Sequence, residues 1–109
     1  MTNKIVVLST CATQTEAESL ARLLVERRLA ACVNIISQVK SYYHWQGRLD
    51  SAEEFLLIIK SARERFDELR AALERAHSYE VPEVIALPIV DGAPNYLNWI
   101  AATLEAGER

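Results

Sequence analysis

Residues 32–61 read CVNIISQVKSYYHWQGRLDSAEEFLLIIKS, two β-rich segments that meet around a single glycine. In the first, Val33, Ile35, Val39, Tyr43 and Trp45 alternate with Cys32, Asn34, Ile36, Lys40, Tyr42 and His44, which is the two-residue period of a strand with distinct faces. The spacing predicts one long strand with room for a bulge. The stretch QGRLDS (46–51) supplies a glycine turn, and EEFLLIIKS (53–61) follows as a second strand, so 32–61 is expected to be a hairpin.

Upstream, IVVLST (5–10) is a short apolar β-rich run, and CATQTEAESLARLLVERRLA (11–30) keeps Ala17, Leu20, Ala21, Leu24 and Leu29 near helical spacing. Thr13 and Glu16 spell a capping box that starts this helix just after Cys11. Downstream, Ser61 and Glu64 spell a second box, and Phe66, Leu69, Leu73 and Ala76 then line one helical face up to His77. VIALPIV (84–90) predicts a strand at a sheet edge, because Pro88 has no N–H to give a ladder. Pro94 near a helix start, the stripe Leu97, Ile100, Ala101 and Leu104, and Gly107 as C-cap predict a final helix. The order β-α-β-β-α-β-α is the ferredoxin-like split β-α-β plan of an α+β protein with an extra C-terminal helix. Its first and third strands should be central.

The bulk properties narrow the function. A chain of 109 residues, half of them hydrophobic and a quarter charged, suits one domain spanning 1–109. A formal net charge of −3 offers no basic field for nucleic acid or for an anionic membrane. Ile5 to Leu8 is too short for a signal-peptide core or a membrane span, so the expected location is the cytoplasm. Cys11 and Cys32 form no C-x-x-C pattern and are expected as thiols. No dinucleotide, P-loop, G-x-S-x-G or H-E-x-x-H motif occurs, and no nucleophile with an adjacent base is visible, so no enzyme is expected.

The strands IVVL, FLLII and VIAL are apolar at consecutive positions, so both faces of the sheet should leave water. Two helices cover one face only. An obligate homo-oligomer is expected, with Tyr42, Tyr43 and Trp45 near the hairpin tip reaching a neighbouring subunit.

The segment HSYEVPE (77–83) holds the residues most suggestive of chemistry. In the split β-α-β plan the end of the first strand faces the start of the fourth, which brings Cys11 and His77 to one sheet edge, with Tyr79 and Glu83 close behind. Thiolate with imidazole suits copper or zinc, and a helix N-terminus next to Cys11 should favour the thiolate. The same residues also read as a small buried hydrophobe and a helix-end histidine, and from the residues alone these structural roles carry more weight. Cys32 reads as core. His44 reads as packing at an interface. Glu53 and Glu54 point to opposite sides of a strand and so form no acid–base pair.

Taken together, LAACVNI (29–35), SYYHWQG (41–47), EEFLLIIK (53–60), HSYEVPE (77–83) and YLNW (96–99) resemble the CutA divalent-cation tolerance family, in order and over nearly the whole chain. The resemblance implies a ferredoxin-like homotrimer, related in architecture to PII signalling proteins, that binds copper or other divalent ions in a metal response without turnover. It carries the family's metal-site cysteine onto Cys11 and its second histidine onto His77. The first histidine is replaced by Ala76 and the following proline by Ser78, so water or a neighbouring subunit would complete the shell. The alternative is a PII-like scaffold or small-ligand sensor, with Tyr42, Trp45, Tyr79 and Glu83 lining a cleft between subunits.

Overall fold

The computed structural model describes residues 2–105. Its elements are β1 (Lys4–Cys11), α1 (Gln14–Glu26), β2 (Cys32–Trp45), β3 (Arg48–Ala62), α2 (Phe66–Ala76), β4 (Ile85–Pro88) and α3 (Pro94–Glu105). All strand pairs are antiparallel and the sheet order is β2-β3-β1-β4, with β3 and β1 central as expected. The C-cap assigned to Gly107 lies outside the described residues.

Side chains two apart on a strand share a face, and here the odd-numbered residues of the central strands face α1 and α2. Ile5, Val7, Leu57 and Ile59 pack there against Leu20, Leu24, Leu69 and Leu73, all essentially removed from water. Helix α1 starts where its cap predicts, because Thr13 Oγ1 accepts the Glu16 N–H at 3.1 Å. It ends without a glycine. Arg28 adopts φ 59°, the Leu29 N–H bonds Leu24 O at 2.9 Å and the Arg28 N–H bonds Val25 O at 3.1 Å, a Schellman motif. The Arg28 guanidinium reaches Thr103 O of α3 at 3.2 Å and so ties the end of α1 to α3.

Four details depart from the sequence reading. First, β2 changes face. Val33 and Ile35 lie opposite Ile59 and Leu57, but Val39 lies opposite Glu54, an odd number of residues further along β3. The register slips between Ile36 and Val39, and Gln38 sits in the left-handed region at φ 63°. One extra residue inverts the alternation, so Val39, Tyr43 and Trp45 share the face of Glu54 and not that of Val33. Second, Ser61 caps nothing. Its Oγ donates to Leu29 O at 2.7 Å inside the protein, and a 3₁₀ turn at Arg63–Arg65 precedes α2. Glu64 instead accepts a bond from Asn3. Third, β3 begins at Arg48, because Gln46 (φ 52°) and Gly47 (φ 77°) make a two-residue turn that lets Trp45 pair with Arg48. Fourth, β4 is four residues long, not seven. It pairs with β1 alone and ends at Pro88, although the Ile89 N–H still bonds Lys4 O at 3.0 Å.

Strand β1 stops pairing at Cys11, opposite Phe55, so the rest of the hairpin runs on as a two-stranded ribbon and the molecule reaches 46 Å in length. On the sheet face away from α1 and α2, helix α3 covers only one corner, where Ile100 and Leu104 meet Ala31 and Ala62. The rest of that face is Val6, Leu8, Leu56 and Ile58, continued outward by Ile36, Ile85 and Leu87, which are 45–49% exposed. Cys32 belongs to this face, opposite Lys60, and is half-buried instead of being part of the main core.

Candidate functional site

The turn after α2 is built around one imidazole. His77 leaves the helix with ψ 146°, and its side chain is fully buried. The Tyr79 N–H lies 3.0 Å from Nδ1, and an N–H can only donate, so Nδ1 is the acceptor and carries no proton. Nε2 lies 2.8 Å from Thr10 O and is therefore the protonated nitrogen. The bond crosses from the turn to the end of β1, one residue before Cys11. Behind the ring, Glu16 Oε2 is 3.5 Å from Nδ1, and the same carboxylate accepts from the Ser78 N–H at 2.8 Å and Ser78 Oγ at 2.9 Å. Glu16 is thus only half of a capping box. Its backbone satisfies the cap, while its side chain holds the turn.

Cys11 and His77 do lie at the same edge, but in a closed arrangement. The Cys11 thiol is fully buried and lies 3.6 Å from Thr13 O. Burial, then the nearby Glu16 and Glu54 carboxylates, push its pKa up from 9.0 to about 11, with a backbone hydrogen bond at Thr13 opposing them in part. The thiolate expected from the helix N-terminus is not what this environment favours. Desolvation is the largest cause, and the two carboxylates add to it. Among the described residues, no group of three or more His, Cys, Asp or Glu side chains is arranged to hold a metal ion.

On the other side of Thr10 lies a cavity of about 770 Å³. Tyr42, Trp45, Tyr79 and Glu83, the four cleft residues read from the sequence, all line it. Its floor is a residue the sequence reading left aside. Glu54 is only 8% exposed, and it accepts from Ser41 Oγ at 2.7 Å and from Tyr79 Oη at 2.6 Å. Burial and this bond to Glu54 push the Tyr79 phenol well above the usual tyrosine range, so it stays a donor. Glu54 takes part in none of the ion pairs among the described residues. The Tyr79 backbone serves His77 and its hydroxyl serves Glu54, so the turn links the thiol–imidazole edge to the cleft. His44 stands exposed on the ribbon opposite Leu49. The missed signal for Glu54 was an acidic residue placed directly before the apolar run FLLII.

Comparison with known proteins agrees with this architecture. The sequence profile of the family described as CutA1 divalent ion tolerance protein matches residues 5–103. The chain is 48% identical over 91 residues to "Protein CutA homolog" of Xenopus laevis, covering 84% of this chain and 60% of that protein. It is 43% identical over 95 residues to "Divalent-cation tolerance protein CutA" of Thermus thermophilus, covering 87% of this chain and 92% of that one. The chain therefore spans about three-fifths of the frog relative and nearly all of the bacterial one. The solved structure of the CutA protein of Archaeoglobus fulgidus superposes with a TM-score of 0.91 at 39% identity, covering 94% of this chain and 99% of that one. That protein is described as periplasmic, so membership alone does not assign the cytoplasm. No helix among the described residues is long and apolar enough to cross a membrane. With the family profile covering nearly the whole chain and the four-stranded antiparallel sheet matching the solved relatives, this chain belongs to the CutA1 divalent ion tolerance protein family.

Proposed function

We propose that this chain acts in divalent-cation tolerance as a homotrimer that binds copper, zinc or a similar ion as cargo, without turnover. The observation that carries the reading is the bond of the His77 ring to Thr10 O, the residue beside Cys11, with Glu16 behind the ring. Thiolate and imidazole are soft-to-borderline ligands that suit copper and zinc. A metal-binding imidazole commonly gives its other N–H to a carboxylate, and Glu16 Oε2 stands 3.5 Å from Nδ1, where it would accept that proton. Binding has three costs here. The Cys11 proton must leave, the ring must exchange its bond to Thr10 O for the metal, and with the ring proton on Nδ1 the Tyr79 N–H loses its acceptor. One chain offers two such ligands, so water or a neighbouring subunit completes the shell.

Self-association follows from the open sheet face. Ile36, Ile85 and Leu87 extend a continuous apolar surface that α3 leaves uncovered, and at about 25 cal/mol per Å² its burial is strongly favourable. Light scattering at micromolar concentration should give the mass of three chains, and a monomeric mass would contradict the reading. For the metal, calorimetric titration with copper and zinc is compared between wild type, Cys11→Ser and His77→Ala. Both variants should lose most of the affinity, and unchanged isotherms would end the proposal.

A second reading rests on a separate observation: Tyr42, Trp45, Tyr79 and Glu83 line one cavity of a size suited to a small molecule. In that reading the protein is a PII-like scaffold or sensor whose cleft is completed between subunits. It predicts ligand binding that survives Cys11→Ser.

A further inference from the structure

We infer that the cleft is a site for a small organic cation, an ammonium group carried on an apolar body. This rests on the second reading, that the cavity takes a ligand, and adds the ligand's chemistry. Four rings, those of Tyr42, Tyr43, Trp45 and Tyr79, wall the cavity, and aromatic faces attract cations through their quadrupoles. Four carboxylates, Asp50, Glu54, Glu80 and Glu83, also face it, and among the described residues no Lys, Arg or His side chain does. On this chain's side of the cleft an anionic ligand would meet only like charge.

Glu54 makes the cleft more than an acidic patch. It is a buried carboxylate with two donors, Ser41 and Tyr79, and no cationic partner among the described residues. A buried charge is tolerated when it is hydrogen-bonded and favoured further when a counter-charge arrives. Each of its oxygens accepts one bond and keeps capacity for a second, so an ammonium N–H or the electrostatic face of a quaternary centre fits against it. A bare metal ion fits less well, because no group of three ligating side chains converges among the described residues. The 770 Å³ volume and the aromatic walls suit a cation with carbon around it.

The test uses choline and its uncharged carbon isostere, in which a tert-butyl group replaces trimethylammonium. Trp45 fluorescence reports binding in a Trp99→Phe background, in the full-length assembled protein at low salt. Choline should saturate the signal and the isostere should bind at least about tenfold more weakly. Glu54→Gln should weaken choline by a similar factor, and Asp50→Asn by less, while Cys11→Ser leaves it unchanged. The exposed Asp50 keeps the test open if Glu54→Gln does not fold. Equal affinity for choline and the isostere, or choline binding that ignores both carboxylate variants, overturns the cationic assignment and leaves the cleft a ligand site. Absence of any Trp45 response to either compound overturns both.

Discussion

The buried thiol gives the sharpest handle on the chemistry. In the fold, Cys11 has its pKa raised from 9.0 to about 11 by burial and by Glu16 and Glu54. A folded pKa above the unfolded one means that the unfolded chain loses its proton first as pH rises. The stabilisation is therefore complete below pH 9 and lost as pH climbs through 11. Two pH units correspond to roughly 2–3 kcal/mol. The measurement is urea unfolding of the wild-type protein and Cys11→Ala, both carrying Cys32→Ser, from pH 7.5 to 12. Tyrosines and lysines titrate in both proteins and cancel in the difference to first order. The stability difference should be flat to pH 9 and then fall by roughly 2–3 kcal/mol. A pH-independent difference would refute the buried-thiol environment. A difference that rises with pH would show instead that the N-terminus of α1 stabilises the thiolate. The result bears directly on metal uptake, since at pH 7 deprotonation of such a thiol costs about 5 kcal/mol that the metal must supply.

Three further outcomes follow from the fold. Leu24→Ala removes a fully buried side chain from the core cluster that also holds Leu29 and should cost about 2–5 kcal/mol in denaturant unfolding, with a loss below about 1 kcal/mol counting against the described core. Glu16→Ala leaves the Ser78 N–H and Oγ without their acceptor and should cost about 1–3 kcal/mol, with Glu16→Gln recovering part of it; equal losses in the two variants would mean the side-chain bonds contribute little. At Gly47 an added Cβ meets nothing within 4 Å, so Gly47→Ala should destabilise by about 1 kcal/mol through its φ of 77° alone, and a neutral substitution would contradict the assigned turn.

Element order was legible because each element carried its own punctuation: the Thr13 cap, the Gly47 turn, Pro88 at the edge and Pro94 at the start of α3. The bulge was anticipated without its consequence. Serine, glutamine and valine at 37–39 fit a strand at any position, and only the pairing with β3 shows that the alternation inverts there. Ser61 and Glu64 matched a capping pattern, yet Ser61 lies on a buried strand end where Leu29 O offers the nearer acceptor. Local spacing cannot weigh a partner 32 residues away.

The site divides in the same way. Topology brought Cys11 towards His77, since antiparallel neighbours share an edge, while the four cleft residues were read from the likeness to PII proteins. The protonation states were not legible. They depend on Glu16 and Glu54, which reach the site through side-chain bonds spanning 62 and 25 residues. The same two carboxylates explain why the thiol is harder to ionise than its place before a helix suggests.

The most direct test of the proposed metal chemistry is proton release on zinc binding, obtained at pH 7 from calorimetry in buffers of differing ionisation enthalpy. A zinc ion that takes Cys11 must displace a proton that the thiol holds at this pH, while the Nδ1 proton of a metal-bound His77 is only moved within the ring. The account predicts about one proton released per zinc in the wild-type protein and none in Cys11→Ser. Zinc binding to the wild type with no proton release, or with the same release in Cys11→Ser, would contradict it.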